Sequence, residues 1–329
     1  MPSQKKTISP EEFKKNHPET NGWHTTETGT RIIAFKFDKP NHVIIDRIEK
    51  TKDGWRDLGR ITGNLPWYAG YNKNCSLSTF FAGLSSACET VQAHIKKGTL
   101  KIGNPLSKRL DKLMLAAIVI EELIPIKTDV DGMIDIAYVL FTSDLTKIRS
   151  SDKLGSMGVF QTLPGTHDLI KQQYPSFKIP IFKNCDTYEE QAVVAILLAY
   201  ENLALFNTRI FSKYKTLQTV WNSSSEEEQR KFTAFVVAAM HNAPSSTLNA
   251  FESALNVLAS GNFTLGSLMK DVANELNITT KSSVKTGNYA TRVAGLYNRM
   301  NERGFSNFTI YQEDGFAERI KGLVYKKAK

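Results

Sequence analysis

Cysteine is scarce in this sequence: Cys75, Cys88 and Cys185 are the only three in 329 residues. An odd number at irregular spacing is neither a disulfide framework nor a metal signature, so buried apolar residues or isolated thiols are expected. No stretch approaches the roughly 20 apolar residues that span a bilayer, and no transmembrane segment is expected. The opening MPSQKKTISPEEFKKNHPE carries lysines but no apolar run behind them, which is not the pattern of a secretory signal. Glycine-rich coenzyme fingerprints and internal repeats are missing. The one low-complexity tract, SSSEEE, reads as a helix start. An Arg-rich arm, zinc-finger spacing and RNA-binding aromatic motifs are lacking too, so nothing specific points to nucleic acid.

What is present is ordinary globular material. Hydrophobic residues make up 41% and charged residues 23%, enough to bury a sizeable core and too apolar for disorder. Lys and Arg number 42 against 33 Asp and Glu, a formal charge of +9. That surplus suits an anionic partner: nucleic acid, an acidic lipid surface, or a bacterial wall with its carboxylates and phosphates.

Character changes along the chain. Residues 1–22 are polar and charged, with a loose extreme end. Between Gly22 and Tyr71, the β-branched runs RIIAFKF and HVIIDRI flank a turn-like Asp38-Lys39-Pro40-Asn41, which predicts a small β-containing region. Trp55, Trp67, Tyr68 and Tyr71 either form a sugar- or partner-binding surface or close a small core. From Leu77 onward the apolar spacing is helical. LMLAAIVIEEL is the densest run. Thr187 with Glu190 and Ser225 with Glu228 occupy capping-box positions, and further helices are predicted at 246–259, 263–276 and 286–301. The fold class is therefore α+β: a small accessory β region over 1–75, then a predominantly α-helical domain over 76–329.

Three stretches carry chemistry. Glu121 and Glu122 end the apolar LMLAAIVI, and a carboxyl at the edge of such a helix holds its proton longer because burial disfavours its charged form. Adjacent helical residues point about 100° apart, so one is expected to face a cleft while the other faces solvent or a neighbour. GSMGVFQTLPGT, residues 155–166, offers glycines for close backbone approach, Gln161 as donor and acceptor, and a turn at Pro164-Gly165. AAMHNAPSS, residues 238–246, ends a helix rich in small residues in His241 and Asn242.

In this order the stretches resemble the soluble lytic transglycosylase domain, related to goose-type lysozyme. That family carries Glu-Ser at the end of an apolar helix, then Gly-Leu-Met-Gln and Met-Pro-x-Thr, which Gly158-Val159-Phe160-Gln161 and Leu163-Pro164-Gly165-Thr166 match. Its Tyr-Asn-Ala-Gly is matched by His241-Asn242-Ala243-Pro244, and its late Tyr followed by Arg-Val by Tyr289, Arg292 and Val293, with Tyr297 two turns on. The match spans about 105–300. The sequence departs from it at Glu122 in place of Ser, His241 in place of Tyr and Pro244 in place of Gly. The 40-residue step from Glu121 to Gln161 is also longer than usual; the intervening IDIAYVLFTSDLTKI is expected to be an inserted helix or lid over one end of a groove.

The resemblance implies a lysozyme-like helical domain cleaving the MurNAc-GlcNAc β-1,4 bond of a bacterial peptidoglycan glycan strand, without a metal or organic cofactor. Anionic cell-wall polymers are further expected partners. Glu121, or alternatively Glu122, would protonate the bridging oxygen, then as a carboxylate accept the 6-hydroxyl proton as a 1,6-anhydro ring closes. Gln161, His241 and Asn242 would orient sugar groups, Tyr289 would lie near the acid, and Met157 and Phe160 would form an apolar wall or support its burial. A hydrolytic muramidase is the nearest rival and would need a held water, with Asp129 or Asp131 activating it. A noncatalytic wall-binding or structural protein of the same fold is the other class. Delivery to the wall would then be through a virion, through phage-produced endolysin acting from the host cytoplasm, or by signal-independent export as an effector.

Overall fold

The computed structural model describes residues 7–26, 29–126, 128–148, 155–258, 263–280 and 285–305. The extreme N-terminal end and residues 306–329 of the expected helical domain lie outside them. Four strands, β1 (Gly22–Thr25), β2 (Arg31–Lys39), β3 (His42–Thr51) and β4 (Gly54–Asn64), follow one another as an antiparallel meander in the order β1-β2-β3-β4. The helices in chain order are α1 (Pro10–Asn16), α2 (Leu77–Lys96), α3 (Lys112–Leu123), α4 (Val130–Leu140), α5 (Pro164–Gln173) and α6 (Tyr188–Phe206). They continue with α7 (Lys215–Ser223), α8 (Glu226–Asn242), α9 (Pro244–Val257), α10 (Leu265–Thr279) and α11 (Thr286–Glu302). The expected α+β class is the observed one: a small N-terminal sheet, then mostly helices.

The chain divides into two compact units. Of the described residues, the first takes those within 7–80, 123–145 and 303–305, and the second those within 81–122 and 146–302. In the first, the strands pair with Phe35 opposite Ile45 and Ile45 opposite Ile61. Asn41 takes φ 64° in the β2–β3 turn, a left-handed conformation that Asn tolerates better than most residues. Ser9 caps α1 by accepting from the Glu12 amide at 3.0 Å, and Phe13 of that helix packs on Ile32, Ala34 and Ile48 with Trp23 and Trp55 at the margin. Tyr68 stacks on Phe37 at 4.2 Å. Of the four aromatics left open, Trp55 packs at the edge of that core, Trp67 and Tyr68 are half-buried, and Tyr71 is exposed.

The segment expected as an inserted helix or lid contributes the second half of α4, a core helix of this first unit. Met133 to Leu140 of α4 are all buried, and Asp135 at 0% exposure accepts from Arg31 at 2.9 Å, Arg47 at 3.1 Å and Arg303 at 3.2 Å. Burial pushes the Asp135 carboxyl up and the three guanidinium groups pull against it. A buried carboxylate needs such partners, and they fix α4 to the sheet. Its N-cap is Asp129, which accepts from the Gly132 amide at 2.7 Å.

The second unit is built on α6 and α8, both opened by the expected capping boxes at Thr187/Glu190 and Ser225/Glu228. Phe206, Phe232 and Phe251 interlock edge-on with ring centroids 4.8–6.4 Å apart, a preferred aromatic geometry. The predicted late helices are present as α9, α10 and α11, with residue 259 outside the described set. Pro164 and Gly165 do not form a turn; Pro164 opens α5 at the first helical position, where its missing N–H costs nothing. Among the described residues, one helical stretch, Tyr188–Phe211, is long and apolar enough to cross a membrane by length and composition. Val194, Ile196, Leu197, Leu203 and Phe206 of it are buried in the unit, and a core helix meets the same criteria. The three cysteines are free thiols: Cys185 is buried and Cys75 and Cys88 half-buried.

Candidate active site

Helix α3 is apolar on every side, and Leu113 through Ile120 are each at most 2% exposed, as expected of a helix enclosed by others. Its start is held by Asp111. One carboxylate oxygen accepts from the Leu113 and Met114 amides at 2.9 and 3.2 Å. The other accepts from Arg230 of α8 at 3.1 Å and from the Tyr297 hydroxyl of α11 at 3.2 Å.

The far end of α3 delivers both glutamates into a polar cluster. The Glu121 side chain is 7% exposed, and its Oε2 accepts from Arg292 Nε of α11 at 3.1 Å. Burial pushes the Glu121 carboxyl up to about 7 against the pull of the Arg292 guanidinium, and neighbouring Glu122 adds to the rise. The carbonyl end of the helix acts in the same direction by disfavouring negative charge. The Glu122 side chain is 24% exposed, with its Oε1 4.0 Å from His241 Nε2 at the end of α8. Burial lowers the His241 imidazole and the Glu122 carboxylate works against that.

Tyr289 precedes Arg292 by three residues on α11, so both lie on one helical face. The Tyr289 hydroxyl is buried and makes no hydrogen bond of ordinary geometry. Burial first, then the carboxylates of Glu122 and Glu121, hold the phenol well above its usual value. Gly287 lets this helix approach α10: a Cβ there would lie 1.9 Å from the Ala273 carbonyl oxygen. Asn242 is engaged by accepting from the Thr286 hydroxyl at 2.7 Å, which joins the end of α8 to the start of α11.

The 155–162 segment is a tight loop. Met157 and Thr162 exchange both backbone hydrogen bonds at 3.1 Å, and Gly158 and Gln161 have φ of 75° and 47°. A Cβ on Gly158 would fall 2.3 Å from Gln191 Oε1. That buried glutamine of α6 accepts from the Val159 amide at 3.0 Å and donates to the Thr146 and Cys185 carbonyls at 2.7 and 3.0 Å. Gln161 donates to the Gly158 carbonyl at 2.7 Å and accepts from Ser156 at 3.2 Å. Its amide is thus committed to the loop's own shape. Phe160 is 1% exposed and anchors the loop rather than walling a groove; Met157, at 8%, is nearly as enclosed.

No family model, curated protein or solved structure matches this chain. The site is read from its own geometry.

The structure brings Glu121, Glu122, His241 and Tyr289 together with Arg292, and places Asn242 at the junction of α8 and α11. Asp129 and Asp131 belong to the first unit, where Asp129 is the helix cap described above and Asp131 faces Arg31 at 3.3 Å and Arg303 at 3.5 Å. Of the two alternatives for the second glutamate, solvent or a neighbouring group, Glu122 lies beside a neighbour, His241 of α8, while Glu121 pairs with Arg292 of α11. Sequence reasoning missed the roles of Arg292, Asp111 and Gln191. An Asp directly before an apolar helical run is a cap signal and marks Asp111; nothing local marks Gln191. Among the described residues, no group of three His, Cys, Asp or Glu is arranged to hold a metal ion.

Proposed function

We propose that the chain cleaves the MurNAc-GlcNAc β-1,4 bond of bacterial peptidoglycan with Glu121 as general acid, closing a 1,6-anhydro ring on the muramoyl product. The observation that carries this reading is the Glu121 carboxyl, withdrawn from water at the end of an apolar helix and pushed up to about 7. A group that half-holds its proton near neutrality can give it to a leaving oxygen and take another back. The ordered sequence resemblance supplies the substrate class. Ring closure needs one acid because the nucleophile is already attached to the sugar, so its effective concentration is high.

Hydrolysis would require a separately activated water. The carboxylates considered for it, Asp129 and Asp131, are committed to a helix cap and to two arginines, so they lend that alternative no support. Digestion of purified peptidoglycan with mass analysis tests the proposal. Anhydro ends are lighter than hydrolysed ends by one water, about 18 Da. Loss of cleavage in Glu121→Gln with retention in Glu122→Gln assigns the acid to Glu121, and the converse moves it one residue on. Binding to the wall polymer with no fragments released leaves a noncatalytic binding protein in its place.

A further inference from the structure

The ion pair between Glu121 and Arg292 is asymmetric. The carboxylate is 7% exposed and the guanidinium side chain 44%, so a solute arriving from water meets the arginine first. An ion-paired carboxylate is in the wrong state to donate a proton, since an adjacent positive charge favours its ionised form. The groups facing Glu121 are Arg292 and Tyr289 from α11 and Glu122 from its own helix, with His241 of α8 beyond Glu122. Arg292 supplies the cationic pull on Glu121, whereas burial and the neighbouring Glu122 favour the protonated acid. The guanidinium is also the side chain best matched to a carboxylate from elsewhere, because its planar fork pairs readily with two oxygens.

We propose that Arg292 is an exchangeable latch: a carboxylate-bearing ligand takes over its guanidinium, and Glu121, relieved of the pair, takes up a proton from solvent. Arg292 would then set specificity, since an acidic glycan arms the acid and a neutral one leaves it paired. The inference rests on the reading of Glu121 as the acid. It assigns Arg292 a positioning and selecting role rather than a step in bond cleavage.

The test uses the full chain with ¹³C-labelled glutamate carboxyls, the Glu121 signal being assigned by its loss in Glu121→Gln. Its titration midpoint is read alone, with N-acetylmuramic acid, and with N-acetylglucosamine, which has the same ring without the lactyl carboxylate. The acidic sugar is expected to raise the midpoint by about one pH unit or more, and the neutral sugar to leave it in place. In Arg292→Gln the midpoint is expected to be raised already, with no response to either sugar. Circular dichroism establishes that the variant is folded; if it is not, Arg292→Lys replaces it, for which a weakened response to the acidic sugar is expected. An equal response to both sugars, a response to neither, or an unmoved midpoint in the folded Gln variant overturns the latch. Peptidoglycan cleavage is measured separately. Cleavage without the titration response removes the latch alone, whereas the response without cleavage leaves the latch and removes the glycosidase reading.

Discussion

Replacing Glu121 with Gln is expected to make the folded protein more stable in alkaline solution. The Glu121 carboxyl is buried, and its value in the folded chain is about 7 against an ordinary 4.5. The folded state therefore binds the proton more tightly than the unfolded state. The contribution of this group to stability is fully present below 4.5 and is lost as pH rises through 7. At 1.36 kcal/mol for each pH unit of difference, the loss is about 3 kcal/mol once both states are ionised. Gln has nearly the same shape and no charge to bury, so it escapes that loss. The Arg292 side chain, at 44% exposed, is reached by water when the Glu121 charge goes. Urea unfolding of both proteins, followed by circular dichroism at about pH 4 and about pH 8.5, measures the effect. The stability difference should shift by about 3 kcal/mol in favour of Glu121→Gln between the two conditions. A difference that stays constant with pH would mean that Glu121 titrates as an exposed carboxyl does, and the argument for a buried acid would fail with it.

If Glu121 is the acid, kcat/KM on peptidoglycan should fall about tenfold per pH unit above about 7, because the group must hold its proton to act; a profile flat through pH 9 would exclude it. Asp135→Asn should destabilise the protein by about 3–5 kcal/mol in urea unfolding, since three guanidinium groups lose the buried charge they face; a cost near zero would mean that the cluster is well solvated. Gly158→Ala should cost about 2 kcal/mol or more by thermal unfolding, combining a left-handed backbone with a clash on a glutamine already holding three backbone groups. Wild-type stability in that variant would contradict the loop geometry.

What was legible in the sequence was local. The β-branched runs RIIAFKF and HVIIDRI, separated by a turn containing Asn41, give β2 and β3, and the two capping boxes start α6 and α8 where their residues predict. The role of α4 was not legible. A nearly continuous apolar run reads the same whether it covers a groove or fills a core; what decides it is Asp135 meeting Arg31, Arg47 and Arg303, which lie 104, 88 and 168 residues away. Phe160 and Gln161 fit a substrate loop by residue type, yet one is anchored in the core and the other bonded to its own turn. Pairing on Glu121 and Glu122 was hidden for the same reason. Helical geometry separates neighbours by about 100°, but says nothing of how many other helices end there.

The position of the candidate acid follows from the length of α3 between two polar anchors. Asp111 fixes one end to Arg230 of α8 and Tyr297 of α11; Glu122 and Glu121 meet His241 of α8 and Arg292 of α11 at the other. At a rise of 1.5 Å per residue, Asp111 to Glu122 spans about 16 Å on α3, and Arg230 to His241 spans about the same on α8. The two helices therefore run side by side in the same sense, while α11 runs the other way, since Tyr297 lies at the Asp111 end and Tyr289 at the glutamate end. Between the anchors every α3 side chain from Leu113 to Ile120 is enclosed, so the helix cannot slide or turn without exposing apolar surface or stranding a charge. The same enclosure that raises the Glu121 carboxyl is what holds it in place. An acid set into a more polar helix would be easier to build, but it would lose both its proton and its address.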